Sequence, residues 1–176
     1  MVSSMGWCFW IFHWNHFRSV RKFKLILHKQ KNKFDFTNSY SKLPKNFYEK
    51  KNPTPVKKPV LLKLNNSLCD FLNLDKEFLT KKQGVFYLSG NAISKSSKPL
   101  SMVYAGHQFG NYVNQLRDGR AVLLGEIKAK NGKLFDIQLK GSGKNSFSRQ
   151  GDGRSPLESV IREYIISEAI HYLGIP

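Results

Sequence analysis

Cysteine is scarce. Cys8 and Cys69 are the two in 176 residues, too few for a disulfide framework. Their scarcity fits a reducing compartment, and a cytoplasmic or mitochondrial location is expected. Long apolar runs are missing too. Trp7-Cys8-Phe9-Trp10-Ile11-Phe12-His13-Trp14 falls far short of the ~20 residues of a membrane-spanning helix, so no transmembrane segment is expected. Basic residues follow this run, whereas a secretory signal carries them in front. Acid is the third shortage: 12 Asp+Glu stand against 29 Lys+Arg, a formal charge of +17.

The excess of base is unevenly placed. Residues 1–66 hold fourteen basic and two acidic residues, and residues 67–176 hold fifteen and ten. Arg18, Arg21, Lys22, Lys24, Lys29, Lys31 and Lys33 all precede the first acid, Asp35. That bias matches an organelle transit peptide, a basic and aromatic extension outside the fold, or a start codon set too far upstream. Residues 1–33 are therefore separated from a domain spanning 34–176. Charge of this kind meets nucleic acid or an anionic membrane, or is simply solvated.

From Phe34 onward the chain becomes readable. Residues 50–59 hold three prolines in seven positions, which forces extended backbone. Val60-Leu61-Leu62-Lys63-Leu64 reads as a short strand, and Asn66-Ser67 as the cap of a helix through Leu68, Phe71 and Leu72. Residues 91–97 read as a polar loop.

The C-terminal third carries the chemistry. Two Asp-Gly-Arg tripeptides, Asp118-Gly119-Arg120 and Asp152-Gly153-Arg154, flank a strand ending in Lys140. Residues 122–140 form a hairpin candidate, with Asn131-Gly132 as a type I′ turn. On the return strand Phe135, Ile137 and Leu139 take one face, and Asp136, Gln138 and Lys140 the other. Glycines free the backbone, arginines pair with phosphate oxygens, and a lysine on a rigid strand adds a fixed charge. Such a set suits a polyphosphate, though spacing alone also fits Lys140 as a solvated surface lysine.

A helix follows. Ser155 as N-cap, Pro156 in the first turn and Glu158 form a capping box, and Gly174 and Pro176 are stop signals. Leu157, Val160, Ile161, Tyr164, Ile165, Ala169 and Leu173 recur at helical spacing as the expected buried stripe. Glu168 falls within that stripe and needs a cation or a site; Glu163 lies off it, where a solvated acid is the default.

Six motifs together resemble the selenoprotein O family. They are Tyr104-Ala105-Gly106-His107-Gln108-Phe109-Gly110, Gln115-Leu116-Arg117-Asp118-Gly119-Arg120, Leu124-Gly125-Glu126, Leu139-Lys140-Gly141-Ser142-Gly143, Ser148-Arg149-Gln150-Gly151-Asp152-Gly153-Arg154 and Ile161-Arg162-Glu163. Gly174-Ile175-Pro176 continues the likeness, which runs from about Phe34 and is densest over 104–176. The resemblance implies an α+β, protein-kinase-like small lobe: an antiparallel sheet with an αC-like helix. It also implies transfer of AMP from ATP, with Mg2+, to protein hydroxyls of Ser, Thr or Tyr. Carried over by motif, Gly119, Arg120, Lys140, Asp152 and Gly153 bind the nucleotide, and Glu163 pairs with Lys140 as in kinase-like sites. Glu168 is then expected to satisfy a buried arginine. Arg117 stands where the family has glycine, so its part in binding is doubtful; a positive φ there would cost on the order of 1 kcal/mol. The family's further phosphate-binding arginines, catalytic base and metal ligands correspond to positions beyond Pro176. The chain therefore reads as an N-terminal fragment, inactive alone, in which no catalytic or metal-binding residue is assigned.

A basic nucleic-acid-binding module is the alternative. It accounts for the charge and for Phe34, Phe36, Tyr40, Phe47 and Tyr48. It leaves the glycine–arginine pairs around Lys140 unexplained, and no specific nucleic acid is expected as a partner.

Overall fold

The computed structural model describes residues 34–175. The basic and aromatic stretch 1–33 and Pro176 lie outside the described residues. The elements, in chain order, are β1 (Tyr48–Lys50), α1 (Asn66–Phe71), α2 (Lys76–Thr80), α3 (Lys82–Leu88), β2 (Leu100–Gln108), β3 (Asn111–Arg117), β4 (Ala121–Lys128), β5 (Leu134–Lys140) and α4 (Leu157–Tyr172). All strand pairs are antiparallel, in the order β1-β2-β4-β5, with β3 paired to the outer half of β2. The fold class is α+β, as expected.

One sheet face carries Val122, Leu124 and Ile137, packed with Phe34, Phe36, Leu64, Cys69, Leu72, Leu74 and Leu79 into the main core. The other carries Leu100, Met102 and Leu123 under Tyr40 and Tyr48. A bulge between Leu123 and Gly125 shifts the β4 register. It brings Ile127, instead of residue 126, onto the main-core face and leaves Glu126 opposite Asp136. Gly125 has φ +139, and a Cβ there would lie 2.7 Å from the Thr37 carbonyl. The bulge thus lets residues 36–38 pack directly on the strand.

Short helices close the main core. Asn65 caps α1 by accepting the Leu68 N–H at 2.9 Å, one residue before the expected cap. Asp75 caps α2 by accepting from Phe78 N at 3.0 Å. Asp75 with Glu77 in the first turn was the available signal for α2, and α3 follows after Lys81.

Three local expectations need correction. Residues 60–64 form no strand: Val60 is 76% and Leu62 69% exposed. Prolines 55 and 59 withhold donors there, and the extended segment is fixed elsewhere, by Asn91 bonding both Val56 N and Val56 O. The β4–β5 turn is not type I′. Gly132 has φ +83, but Asn131 is not in the left-handed region, and Gly132 N donates to Ala129 O while Ala129 N donates to Lys133 O. That is a type I turn closed by a glycine bulge. The turn with two positive φ values joins β2 to β3, at Phe109 (φ 52) and Gly110 (φ 78).

The third correction concerns α4. It begins at Leu157 with Pro156 at the N-cap and no side-chain cap, so Ser155 forms no capping box. Its end does form a Schellman motif, with Gly174 (φ +72) N bonding His171 O and Ile175 N bonding Ile170 O. Of the expected stripe only Tyr164 is buried. Leu157, Ile161 and Ile165 are 55, 47 and 56% exposed, while Tyr164 is 5% exposed. Apolar residues surround the helix too evenly to fix its rotation. Glu163 and Glu168, which find donors on the sheet side, orient it instead.

Candidate nucleotide-phosphate site

Lys140 is the last residue of β5, opposite Ala121 at the start of β4. At this row the chain leaves the sheet on one side through Gly141, and enters it on the other through Asp118-Gly119-Arg120. Gly141 N and Ser142 N both donate to Arg120 O, at 2.7 and 3.3 Å, so the two exits are tied together. Gly141 has φ +77, and a Cβ on it would lie 2.9 Å from Ser155 Cβ. The backbone can therefore turn beneath the start of α4.

Glu163, on the inner side of α4, reaches back to this row. Its Oε2 accepts from Lys140 Nζ at 2.5 Å, and Arg120 Nη2 lies 3.9 Å from its Oε1. One carboxylate therefore faces two cations, leaving a net positive spot. The three side chains are 30–45% exposed, so the pair itself adds only ~0.2–1 kcal/mol to stability. Its weight lies in holding both cations toward one place.

The two glycines do structural work. A Cβ on Gly119 would come 2.7 Å from the Phe147 carbonyl, and one on Gly153 (φ +71) would come 2.1 Å from the Gly143 carbonyl. The first Asp-Gly-Arg loop packs in this way on residues 147–148, and the second on residues 143–144. Asp152 is exposed and accepts the Arg154 N–H at 2.8 Å. The Arg154 guanidinium faces the carbonyls of Gly141, Thr54 and Pro55 at 3.2–3.5 Å, clamping the proline-rich segment to the glycine loop. It is a structural clamp in this fold.

Asp118 is a half-buried acid of the site. Its Oδ2 accepts the Met102 N–H at 3.3 Å and its N–H donates to Met102 O at 3.0 Å. Burial raises its carboxyl above the usual range, against the opposing pull of the Met102 and Tyr104 hydrogen bonds and the Lys140 charge. Arg117 ends β3 outside the left-handed region, so a side chain there brings no backbone strain. Its guanidinium lies over the Phe147 ring at 5.3 Å and bonds Gln115 Oε1 at 2.8 Å.

Among the described residues Glu168 has no buried arginine for a partner, and it meets Asn65 instead. Its Oε1 accepts from Asn65 Nδ2 at 2.8 Å, and burial raises its carboxyl, with His171 and Asn65 opposing. Asn65 could serve because its oxygen caps α1 while its amide nitrogen points to α4. Sequence periodicity carried no sign of that pairing. It also gave no sign of Asn145 and Ser148, whose bonds to the first loop are described below; the Asx turn from Phe147 N to Asn145 Oδ1, at 2.9 Å, was the available clue.

The Lys140–Glu163 pair lies on an open face. Two open clefts lie elsewhere, one beside Phe78, Phe86 and Tyr87 and one beside Tyr48, Lys50 and Lys98. Among the described residues no group of three or more His, Cys, Asp or Glu side chains could hold a metal ion, and no helix is long and apolar enough to cross a membrane.

The family profile described as "Protein adenylyltransferase SelO" matches residues 30–176. The chain belongs to this family. Curated proteins named "Protein nucleotidyltransferase YdiU" are similar over most of the chain. The one from Rhizobium meliloti (strain 1021) is 54% identical over 143 residues, covering 81% of this chain and 29% of that protein. The one from Nitrobacter winogradskyi is 55% identical over 141 residues, covering 80% and 28%, and the one from Alkalilimnicola ehrlichii is 51% identical over 141 residues, also covering 80% and 28%. The chain thus spans less than a third of the length of these relatives. Every motif quoted above falls inside the part that matches the SelO profile.

Proposed function

We propose that residues 34–176 form the phosphate-holding part of an ATP-dependent protein adenylyltransferase. The whole protein would move AMP from ATP to a Ser, Thr or Tyr hydroxyl: the hydroxyl oxygen bonds to the α-phosphorus, the bond to the bridging oxygen breaks, and pyrophosphate leaves. The observation that carries this reading is Glu163 held between Lys140 and Arg120 at the junction of the two Asp-Gly-Arg loops. A cation fixed by a helix carboxylate beside a glycine loop is the arrangement that positions phosphates in kinase-like sites. The antiparallel sheet followed by α4 supports a kinase-like small lobe.

In this reading Lys140 and Arg120 neutralise phosphate oxygens, and Glu163 keeps both from turning to solvent. Gly119 and Gly153 let the loops pack close, and Asp152 shapes the second loop. Bound magnesium would add positive charge at the phosphates. Among the described residues no group of three or more His, Cys, Asp or Glu could hold a metal ion, and in this reading its ligands lie in the rest of the whole protein, as does the base that takes the hydroxyl proton. The 176-residue chain by itself would bind nucleotide without transferring it.

Titration of the chain with a fluorescent ATP analogue tests the site. Lys140→Ala should weaken binding about tenfold or more, because a charge-assisted contact to phosphate contributes roughly 1.5–3 kcal/mol. Unchanged affinity would remove Lys140 from the site. Binding that ignores ATP and falls steeply with salt on single-stranded nucleic acid would favour a nucleic-acid module instead.

A further inference from the structure

Four consecutive backbone carbonyls, from Asp118 to Ala121, accept hydrogen bonds from inside the fold. Asp118 O accepts from Asn145 Nδ2 at 2.6 Å, and Gly119 O accepts from Ser148 Oγ. Arg120 O accepts from Gly141 N and Ser142 N, and Ala121 O accepts from Ser101 Oγ at 3.0 Å. In a loop that is to meet an anion this matters, because an unengaged carbonyl oxygen presents negative charge to the phosphate. A planar trans peptide also points its C=O and the following N–H in opposite directions. Turning Gly119 O inward therefore turns the Arg120 N–H outward.

Two side chains outside both Asp-Gly-Arg tripeptides do this for the first two carbonyls. Asn145 is 5% exposed and its polar atoms are fully used. Nδ2 donates to Asp118 O and, at 2.8 Å, to Ser101 Oγ, while Oδ1 accepts from Phe147 N. Ser148 Oγ accepts the Asn145 N–H at 2.9 Å and gives its one proton to Gly119 O. Ser101, fully buried, relays the network on to Ala121 O. The absence of a side chain on Gly119 is what allows the loop to approach Phe147 and Ser148. A fully satisfied buried polar network of this kind fixes one arrangement.

We propose that Asn145 and Ser148 are positioning residues for polyphosphate: they hold the carbonyls of Asp118 and Gly119 away from the anion, so that the Arg120 N–H and guanidinium face it. The ligand class is a nucleoside polyphosphate, and the inference rests on the reading of the site given above. Adenosine, which has no phosphate, should be indifferent to the network.

The test compares ATP, inorganic tripolyphosphate and adenosine in equilibrium titrations of the 176-residue chain, with thermal unfolding of each variant in parallel. Ser148→Ala and Asn145→Ala should weaken ATP and tripolyphosphate about tenfold, the loss of a hydrogen bond that orients a donor loop, and change adenosine less than about twofold. Ser148→Thr keeps the hydroxyl and should restore affinity to within about twofold of wild type. Should Asn145→Ala fail to fold, the Ser148 pair decides the matter. Equal losses for ATP and adenosine would mean a merely structural network and overturn the proposal, as would wild-type ATP affinity in Ser148→Ala. A wild-type chain that binds neither ATP nor tripolyphosphate would overturn the underlying site reading as well.

Discussion

Asp118 is the acid whose chemistry is most constrained by its neighbours. Its carboxyl is held above the usual range by burial. A raised acid costs nothing below its ordinary range, where it is protonated in both states. The cost of ionising it in the fold grows as pH rises from that range through the folded value. Asp118→Asn keeps an acceptor for Met102 N and has no proton to lose. The variant should match wild type at pH 3 and gain stability relative to it as pH rises to 7, read as the difference in Tm. A constant difference across that range would show that burial does not govern this group. Glu163 and Glu168 separate on different grounds. Glu163→Gln removes the charge between Lys140 and Arg120, so ATP binding should weaken several-fold while stability changes within about 0.5 kcal/mol, as for a half-exposed pair. Glu168→Gln keeps an oxygen for Asn65, whereas Glu168→Ala leaves that amide without its acceptor and should cost about 1 kcal/mol with ATP binding intact. Chemical denaturation and nucleotide titration of the three variants decide the assignment; inverted effects would move the functional acid to Glu168.

At the scale of elements, β4, β5 and α4 were legible because each carries a strong local signal. Ala121–Leu124 is a continuous apolar run, Leu134–Lys140 alternates, and α4 has long helical spacing with a glycine stop. What local signals cannot carry is the choice of partner. Val60 and Leu62 have strand-like composition, yet residues 60–64 pair with no strand and leave both side chains exposed. The rotation of α4 is hidden from its sequence for the same reason: its apolar residues cover much of the cylinder, and polar bonds to Lys140 and Asn65 set the inner face. Lys140 and Glu163 could be brought together from motif alone, whereas Asn145 and Ser148 could not, since their bonds span 27 and 29 residues to a loop with no periodicity. The observed rotation has a measurable consequence. Ile161→Ala and Ile165→Ala, at exposed positions, should each cost less than about 0.5 kcal/mol, whereas Tyr164→Ala at a buried one should cost roughly 3 kcal/mol or more. Urea titrations compare them directly. Large losses at Ile161 and Ile165 would show that these two side chains are buried together with Tyr164.

Across the described residues, the two Asp-Gly-Arg loops surround one cationic spot. Lys140 and Arg120 offer positive charge, Glu163 orders it, and the two Asp-Gly-Arg loops are locked around it by Arg154 on one side and by Asn145 and Ser148 on the other. In the proposed reading this set holds phosphate. Transfer needs more: a base to take the hydroxyl proton, and charge to stabilise the departing pyrophosphate. Among the described residues no acid cluster can hold a metal, and the acids near Lys140 are already committed, Glu163 to two cations and Asp118 to Met102 and Tyr104. The outer side of α4, with Leu157, Ile161, Ile165 and Ile166 all about half exposed, is unmatched by any described element. The chain also spans less than a third of its relatives' length. Binding and chemistry should therefore come apart. With ATP labelled at the α-phosphate and magnesium, the purified 176-residue chain should bind nucleotide yet leave no covalent AMP on itself or on added proteins, by intact mass and by label retained after denaturation. The same assay on a longer protein carrying this segment should show transfer that Lys140→Ala reduces by roughly 10²-fold or more, as expected when a charged contact to the transition state is removed. Covalent AMP formed by the 176-residue chain would show that a base exists among residues to which this fold gives other partners.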